Sequence, residues 1–215
     1  KVIAGEASLE IKADPVVISG RPSMHVVGIG RTKGVFNLFY RVNDRYETFI
    51  DQEAIAPFLF IRRVNEGGYI INQDVTFNQF QNFARSNKAT VQTPPYIQDI
   101  ISSFYYARTI DFKNAKAGDE FPVEFLLDDT VFVTKILYEG PEVINTVLGT
   151  FKTHKFKPMV LTGEVFSQPY PMTVWISDDK NKVPLMVESG IIVGSVKMEL
   201  INYNGLKNPV SSKIE

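Results

Sequence analysis

The sequence predicts a mainly β protein, an antiparallel meander sheet curled as an open or half barrel around one amphipathic helix. Three observations carry that expectation. Apolar and polar residues alternate with period two along most of the chain. About a dozen such runs recur at roughly 8–12-residue spacing, separated by turn residues. One segment alone has a helical period long enough to span several turns. Composition agrees: 16 Phe and 9 Tyr suit half-buried pleated surfaces.

The first strand is expected where Ala7, Leu9 and Ile11 alternate with Ser8, Glu10 and Lys12. DRYETFID sets Tyr46, Thr48 and Ile50 against Arg45, Glu47 and Phe49. FPVEFLLDDTVFVTKILYEG reads as two strands folded about a tight turn at Asp128 and Asp129. EVINTVLG, TFKTHKFKPMVL, MTVWISDD, VPLMVES and GSVKMELINY continue the series. TPPYIQDIISSFYYARTI breaks it. A helix is expected over about 95–108, with Thr93 as N-cap and Pro94 and Pro95 at the start. Its stripe is Ile97, Ile100, Ile101, Phe104, Tyr105 and Arg108, and the only large element available to cover it is the sheet.

The 215 residues are long enough for one large domain, and the expected organisation is a single domain over 1–215. A two-lobed division near 113–119, in the polar connection KNAKAGDEFP, is the alternative. The tail 208–215 is expected to fray. A net charge of −1 gives no electrostatic case for nucleic acid or an anionic membrane. Cysteine is absent, which rules out disulfides, thiolate metal sites and a cysteine nucleophile and suits an exported protein. No apolar run reaches the roughly 18 residues of a membrane-spanning helix. The chain opens in strand-like text and reads as a mature or trimmed form.

HVVGIGRTKGVFNLFY raises a nucleotide-binding reading through Gly28 and Gly30. A dinucleotide fingerprint needs a third glycine at position 33, where Lys33 stands, and then a long crossover helix. VFNLFYRV has room for two turns at most. The glycines are expected to serve a bulge or a close approach, and Gly34 a turn. The two histidines, His25 and His154, both sit in strand text and are read as sheet residues. SDDKNK reads as a hairpin turn rather than a calcium loop, because it lacks a central Gly and a closing Glu. Neither a cofactor nor a metal is expected.

One cluster points to a binding site. If the strand after Asp44 pairs with FLFIRRVN, Arg45 comes near Arg62, with Glu47 diagonal to it and Glu66 in the next turn. Two neighbouring arginines need an acid or a bound anion. A surface Arg–Glu–Arg network and a head-group anchor both fit, and a register slip of one residue removes either.

IAGEASLEI, GRPSMHVVGIGRT, FYRVNDRYETFID, PFLFIRRVNEGGY, DIISSFYYAR and VWISDDKNKVPLMVESGIIVGSVKMEL together resemble the bacterial family called domain of unknown function 3108. The resemblance runs through nearly the whole chain. It implies export in Gram-negative bacteria, to the periplasm or outer-envelope surface, and no assigned activity. VWISDDKNKVPLMVE also looks like a hairpin of the periplasmic lipoprotein carriers, which curl a sheet around helix and hold acyl chains; this chain departs from them in having one good helix.

Three function classes stay open. The leading one is a non-enzymatic envelope module binding a lipid, another amphipathic small molecule or an envelope protein. Arg45, Glu47 and Arg62 are its candidate polar contacts, and Phe58, Phe60, Tyr105 and Trp175 its apolar wall. The others are a glycan hydrolase with a carboxylate pair, whose acids stand about 5–10 Å apart in a groove, and a structural component of a surface assembly marked by an exposed apolar patch.

Overall fold

The structure, a computed structural model, describes residues 3–160, 168–190 and 195–214. Leu161, Gly194 and Glu215, end residues of two expected strands and of the tail, lie outside them. The chain divides into two compact units: Lys1–Ala107 with Glu124–Phe132, and Arg108–Val123 with Val133–Glu215.

In the first unit, β1 (Gly5–Ile11), β2 (Val16–Ile18), β3 (Arg21–Thr32), β4 (Asn43–Asp51), β5 (Pro57–Glu66), β6 (Tyr69–Asn78), β7 (Phe83–Arg85) and β8 (Thr90–Gln92) form one antiparallel sheet. Its order is β1-β3-β4-β5-β6-β7-β8, with β2 on β3. Alternation in β4 is as expected, with Asp44, Thr48 and Ile50 buried on one face. The same face carries Phe58, Phe60, Arg62 and Val64 of β5 and Gln73, Val75 and Phe77 of β6. Phe60, Val75, Phe77, Ala84, Ile97 and Leu126 make the core. β1 departs from expectation: all seven of its residues are exposed, so neither of its faces is buried against another described element.

The short helix α1 (Phe36–Phe39) follows β3, and α2 (Ile100–Ala107) follows β8. α2 is shorter than expected and is not capped by Thr93. Gln98 is extended and pairs with β9 (Glu120–Leu127): its N–H donates to the Glu124 carbonyl, and the Leu126 N–H donates back to its own. Asp99 then caps the helix, accepting from the Ile101 and Ser102 N–H groups at 2.7 and 2.8 Å while the Ser102 hydroxyl accepts from the Asp99 N–H. The expected stripe is also corrected. Ile97 is buried but precedes the helix, and within α2 only Ser102 is fully buried. Ile101, Phe104 and Tyr105 are half-buried and Ile100 is exposed. Gly28 lies in mid-strand under this helix. A Cβ at Gly28 would stand 3.5 Å from the Ile101 Cδ1 and Leu9 Cδ1 atoms, an ordinary contact, and one at Gly30 would meet no atom within 4 Å; with no bulge in β3 either, the expected reasons for this pair of glycines are not found.

β9 and β10 (Thr130–Thr146) turn about Asp128 and Asp129, both at positive φ, the two-residue hairpin geometry expected there. In the second unit β11 (Gly149–Pro158), β12 (Met172–Ser177), β13 (Pro184–Gly190) and β14 (Ser195–Glu199) complete a sheet of order β14-β13-β12-β11-β10-β9. Neither sheet closes into a barrel. Phe151, Trp175, Leu185 and Met186 pack one cluster, and Phe112, Tyr138, Phe156 and Ile176 another.

Residues 208–214 of the tail lie against the β12–β13 turn and β11. Asp179, in the β12–β13 turn, accepts the Ser212 hydroxyl at 2.7 Å, Asn181 binds the Asn208 backbone, and Lys213 bridges Phe151. Burial would raise the Asp179 carboxyl, yet hydrogen bonds from Ser212, Asn181 and Ser177 hold it below the usual range. A depressed folded-state value stabilises above the ordinary carboxylate range and is lost as pH falls. The protection factor of the Ser212 amide, its exchange relative to the intrinsic rate at the same pH, is therefore expected to fall on acidification, and in Asp179→Ala already at neutral pH; tail amides equally protected in both proteins would contradict this clamp.

Candidate functional site

The residues expected to form one binding site are not brought together. In register, Arg45 stands opposite Arg63, and Tyr46 opposite Arg62. Arg45 and Arg62 therefore point to opposite faces of the sheet. Arg45 donates to Glu47 at 2.6 Å, and His25 contacts the other Glu47 oxygen at 2.6 Å while stacking on Phe49. Burial would raise Glu47, but hydrogen bonds from Arg45 and His25 leave it below the usual range. Arg63 pairs with Asp74 at 2.6 Å. Arg62 is buried and ion-pairs with Asp128 in the β9–β10 turn. Each arginine thus has a carboxylate to balance its charge, and the buried Arg62 Nε alone keeps no hydrogen-bond partner among the described residues.

The expected apolar wall is also distributed. Phe60 is 1% exposed, inside the first unit's core. Tyr105 is half-buried against Phe104. Trp175 is packed in the second unit, its indole N–H donating to Glu142 at 3.0 Å and Lys155 over its ring. Phe58 lines a groove, together with residues that the sequence reading passed over.

That groove, about 290 Å³, lies at the end of the first sheet where β6 turns into β7. Phe58 and Phe77 back it, Phe80 and Phe83 line it, and Arg85, Thr76, Asn78 and Ser19 supply its polar groups. Alternation puts Thr76, Asn78, Phe83 and Arg85 on the face of β6–β7 turned away from the core residues Val75, Phe77 and Ala84. The Asn78 side chain accepts from the Phe80 and Gln81 N–H groups, and Gln79 donates to the Pro57 and Ile97 carbonyls. This fixed turn holds Phe80 out in solvent, 73% exposed. The Arg85 guanidinium lies 5.7 Å from the Phe83 ring centroid, and its Nε donates to Thr90. Among the described residues Arg85 has no carboxylate partner. The signal available in the sequence was FNQFQNFAR, three Phe at intervals of three in an otherwise amide-rich run ending on an arginine.

Two further polar clusters have structural explanations. His154 receives the Tyr138 hydroxyl at Nδ1 and meets Asp178 at Nε2, each at 2.9 Å. Glu66 lies against Asp44, and burial together with that neighbouring acid pushes its carboxyl above the usual range. Acids in direct contact lack the separation of about 5–10 Å that glycoside hydrolysis uses. No set of three His, Asp or Glu positioned for a metal occurs among the described residues.

Fold and groove define a mainly β protein of antiparallel sheets with a small aromatic and cationic surface site. The chain belongs to the family described as "Protein of unknown function (DUF3108)", whose profile matches residues 1–201. No curated protein matches it. Among solved structures it is similar to a beta-barrel-like protein of domain of unknown function DUF1849 from Brucella abortus, at 10% identity and a TM-score of 0.57, covering 93% of this chain and 88% of that one. That likeness is one of fold. No helix among the described residues is long and apolar enough to cross a membrane.

Proposed function

We propose that the protein is a non-enzymatic binding module of the Gram-negative envelope, acting outside the cytoplasm, and that its groove takes an amphipathic anion. The observation that carries this reading is Arg85, without a carboxylate partner among the described residues, beside Phe83 and the 73%-exposed Phe80. A planar guanidinium suits a carboxylate or phosphate head. The phenylalanines suit an acyl or aromatic segment. A volume of about 290 Å³ is at the small end for ligand sites, so it fits one chain or ring rather than a multi-acyl lipid. The absence of cysteine is compatible with an exported protein.

Calorimetric titration with dodecanoate tests this reading. Wild type is expected to bind it and to bind dodecyltrimethylammonium far more weakly. Arg85→Glu is expected to weaken dodecanoate binding about tenfold or more, since a hydrogen bond to a charged group is worth about 1.5–3 kcal/mol. Phe80→Ser is expected to weaken both surfactants. Equal affinity for anion and cation, or an unaffected Arg85→Glu, would refute the assignment.

A further inference from the structure

The end of the first sheet opposite the groove carries a second unexplained surface. It is the β3–β4 connection, RTKGVFNLFYR, residues 31–41. Leu38 and Phe39 are 84% and 83% exposed, and Val35, Phe36 and Tyr40 are exposed beside them. α1 buries no residue. Tyr69 and Ile70 of the β5–β6 hairpin are exposed at the same end of the sheet.

This tip is a fixed structure. Gly34 turns at φ +56°, the Tyr40 N–H donates to the Phe36 carbonyl at 2.8 Å, and Thr32 accepts from the Val42 N–H at 2.9 Å. The Gly67 N–H donates to the Arg41 carbonyl at 2.8 Å. The Tyr40 ring lies over Gly67, where a Cβ would stand 2.6 Å from its Cε2, so connection and hairpin form one tip.

The connection carries basic residues only, while the hairpin beside it adds Glu66 next to Asp44. Residues 31–41 contain Arg31, Lys33 and Arg41 and no acid, in a chain of net charge −1. Lys33 pairs with Glu6. Arg31 and Arg41 have no acidic partner among the described residues.

We propose that this tip docks the protein on an anionic lipid bilayer, with Leu38, Phe39 and Tyr40 entering the interface and Arg31 and Arg41 contacting lipid head groups. Leucine and aromatic side chains projecting from a protrusion gain burial by entering lipid. Aromatic rings favour the head-group level. Arginines at the base match an anionic surface, which the chain's overall charge would not attract. The tip and the groove sit at opposite ends of the sheet, so this proposal stands or falls independently of the groove's ligand.

Flotation of the full chain with vesicles of phosphatidylcholine, with and without phosphatidylglycerol, tests it. Binding is expected to the anionic vesicles and to weaken with salt. The double variant Leu38→Ser, Phe39→Ser is expected to lose at least about tenfold in partitioning, because it removes the inserting side chains. Arg31→Ser and Arg41→Ser are expected to cost about fivefold each, the equivalent of about 1 kcal/mol per basic residue at an anionic surface. Because the chain has no cysteine, Leu38→Cys accepts a single environment-sensitive dye, whose emission is expected to shift blue on the anionic vesicles. Circular dichroism and urea denaturation of the Leu38 and Phe39 variant serve as the control for folding, and both should match the wild type. If wild type fails to float at low salt, or the double variant floats equally, the proposal is wrong. Concentration-dependent self-association lost in the double variant, without vesicle binding, would overturn it in favour of a protein contact.

Discussion

Replacing Phe60 by alanine is expected to lower stability by about 3–5 kcal/mol, the loss of transfer energy plus the cavity left behind. Phe60 is 1% exposed and sits among Val75, Phe77, Ile97 and Leu126, contributed by β6, the approach to α2 and β9. Phe104→Ala in α2 is expected to cost clearly less, because that ring is only half-buried. Urea denaturation followed by circular dichroism compares the two. A larger loss for Phe104 would return the centre of the unit to the helix stripe.

Asp99→Ala is expected to cost about 2 kcal/mol at pH 7, since it removes the cap and leaves a buried hydroxyl without its acceptor. Asp99 is fully buried, and Thr48 donates to it at 2.5 Å from β4. Burial pushes its carboxyl up to about 6, against the hydrogen bonds from Thr48, Ser102 and Ile101 that favour its charged form. The sign follows from linkage. A carboxyl raised in the folded state binds its proton more tightly there, so its stabilising contribution is complete below the ordinary aspartate range and fades as pH rises through about 6. Asp99→Asn keeps an acceptor for the Ile101 and Ser102 N–H groups and a polar partner for Thr48, without the buried charge. Between pH 4 and pH 8 its stability is expected to rise relative to wild type, by at most about 3 kcal/mol, the equivalent of a shift of about two units. A constant difference across that interval would show that Asp99 is not raised.

The strands were legible because period-two alternation is a local property. Tyr46, Thr48 and Ile50 read correctly, and Asp128–Asp129 declared its turn through two residues that tolerate positive φ. The start of α2 was not legible. Gln98 is held extended by backbone pairing with β9, a partner distant in sequence, and the cap passes to Asp99. Register explains the misplaced site. Arg62 and Arg63 are adjacent in sequence, and a bulge between Phe49 and Ile50 decides which of them faces Arg45. The tail's anchorage depends on Asp179 finding Ser212, which composition does not announce. Phe80, Phe83 and Arg85 were visible as residues, but their convergence depends on the Asn78 turn and on the short pairing of β7 with β6.

The groove is tested most directly by amide and side-chain NMR shifts of the full chain during titration with dodecanoate. The account predicts saturable shifts centred on residues 76–85 and Ser19, with the Arg85 guanidinium among the largest, and their collapse in Arg85→Glu. Saturable shifts centred elsewhere, for instance around Arg45 and Glu47 or in the Trp175 cluster, would contradict it, as would an absence of saturable shifts at any residue.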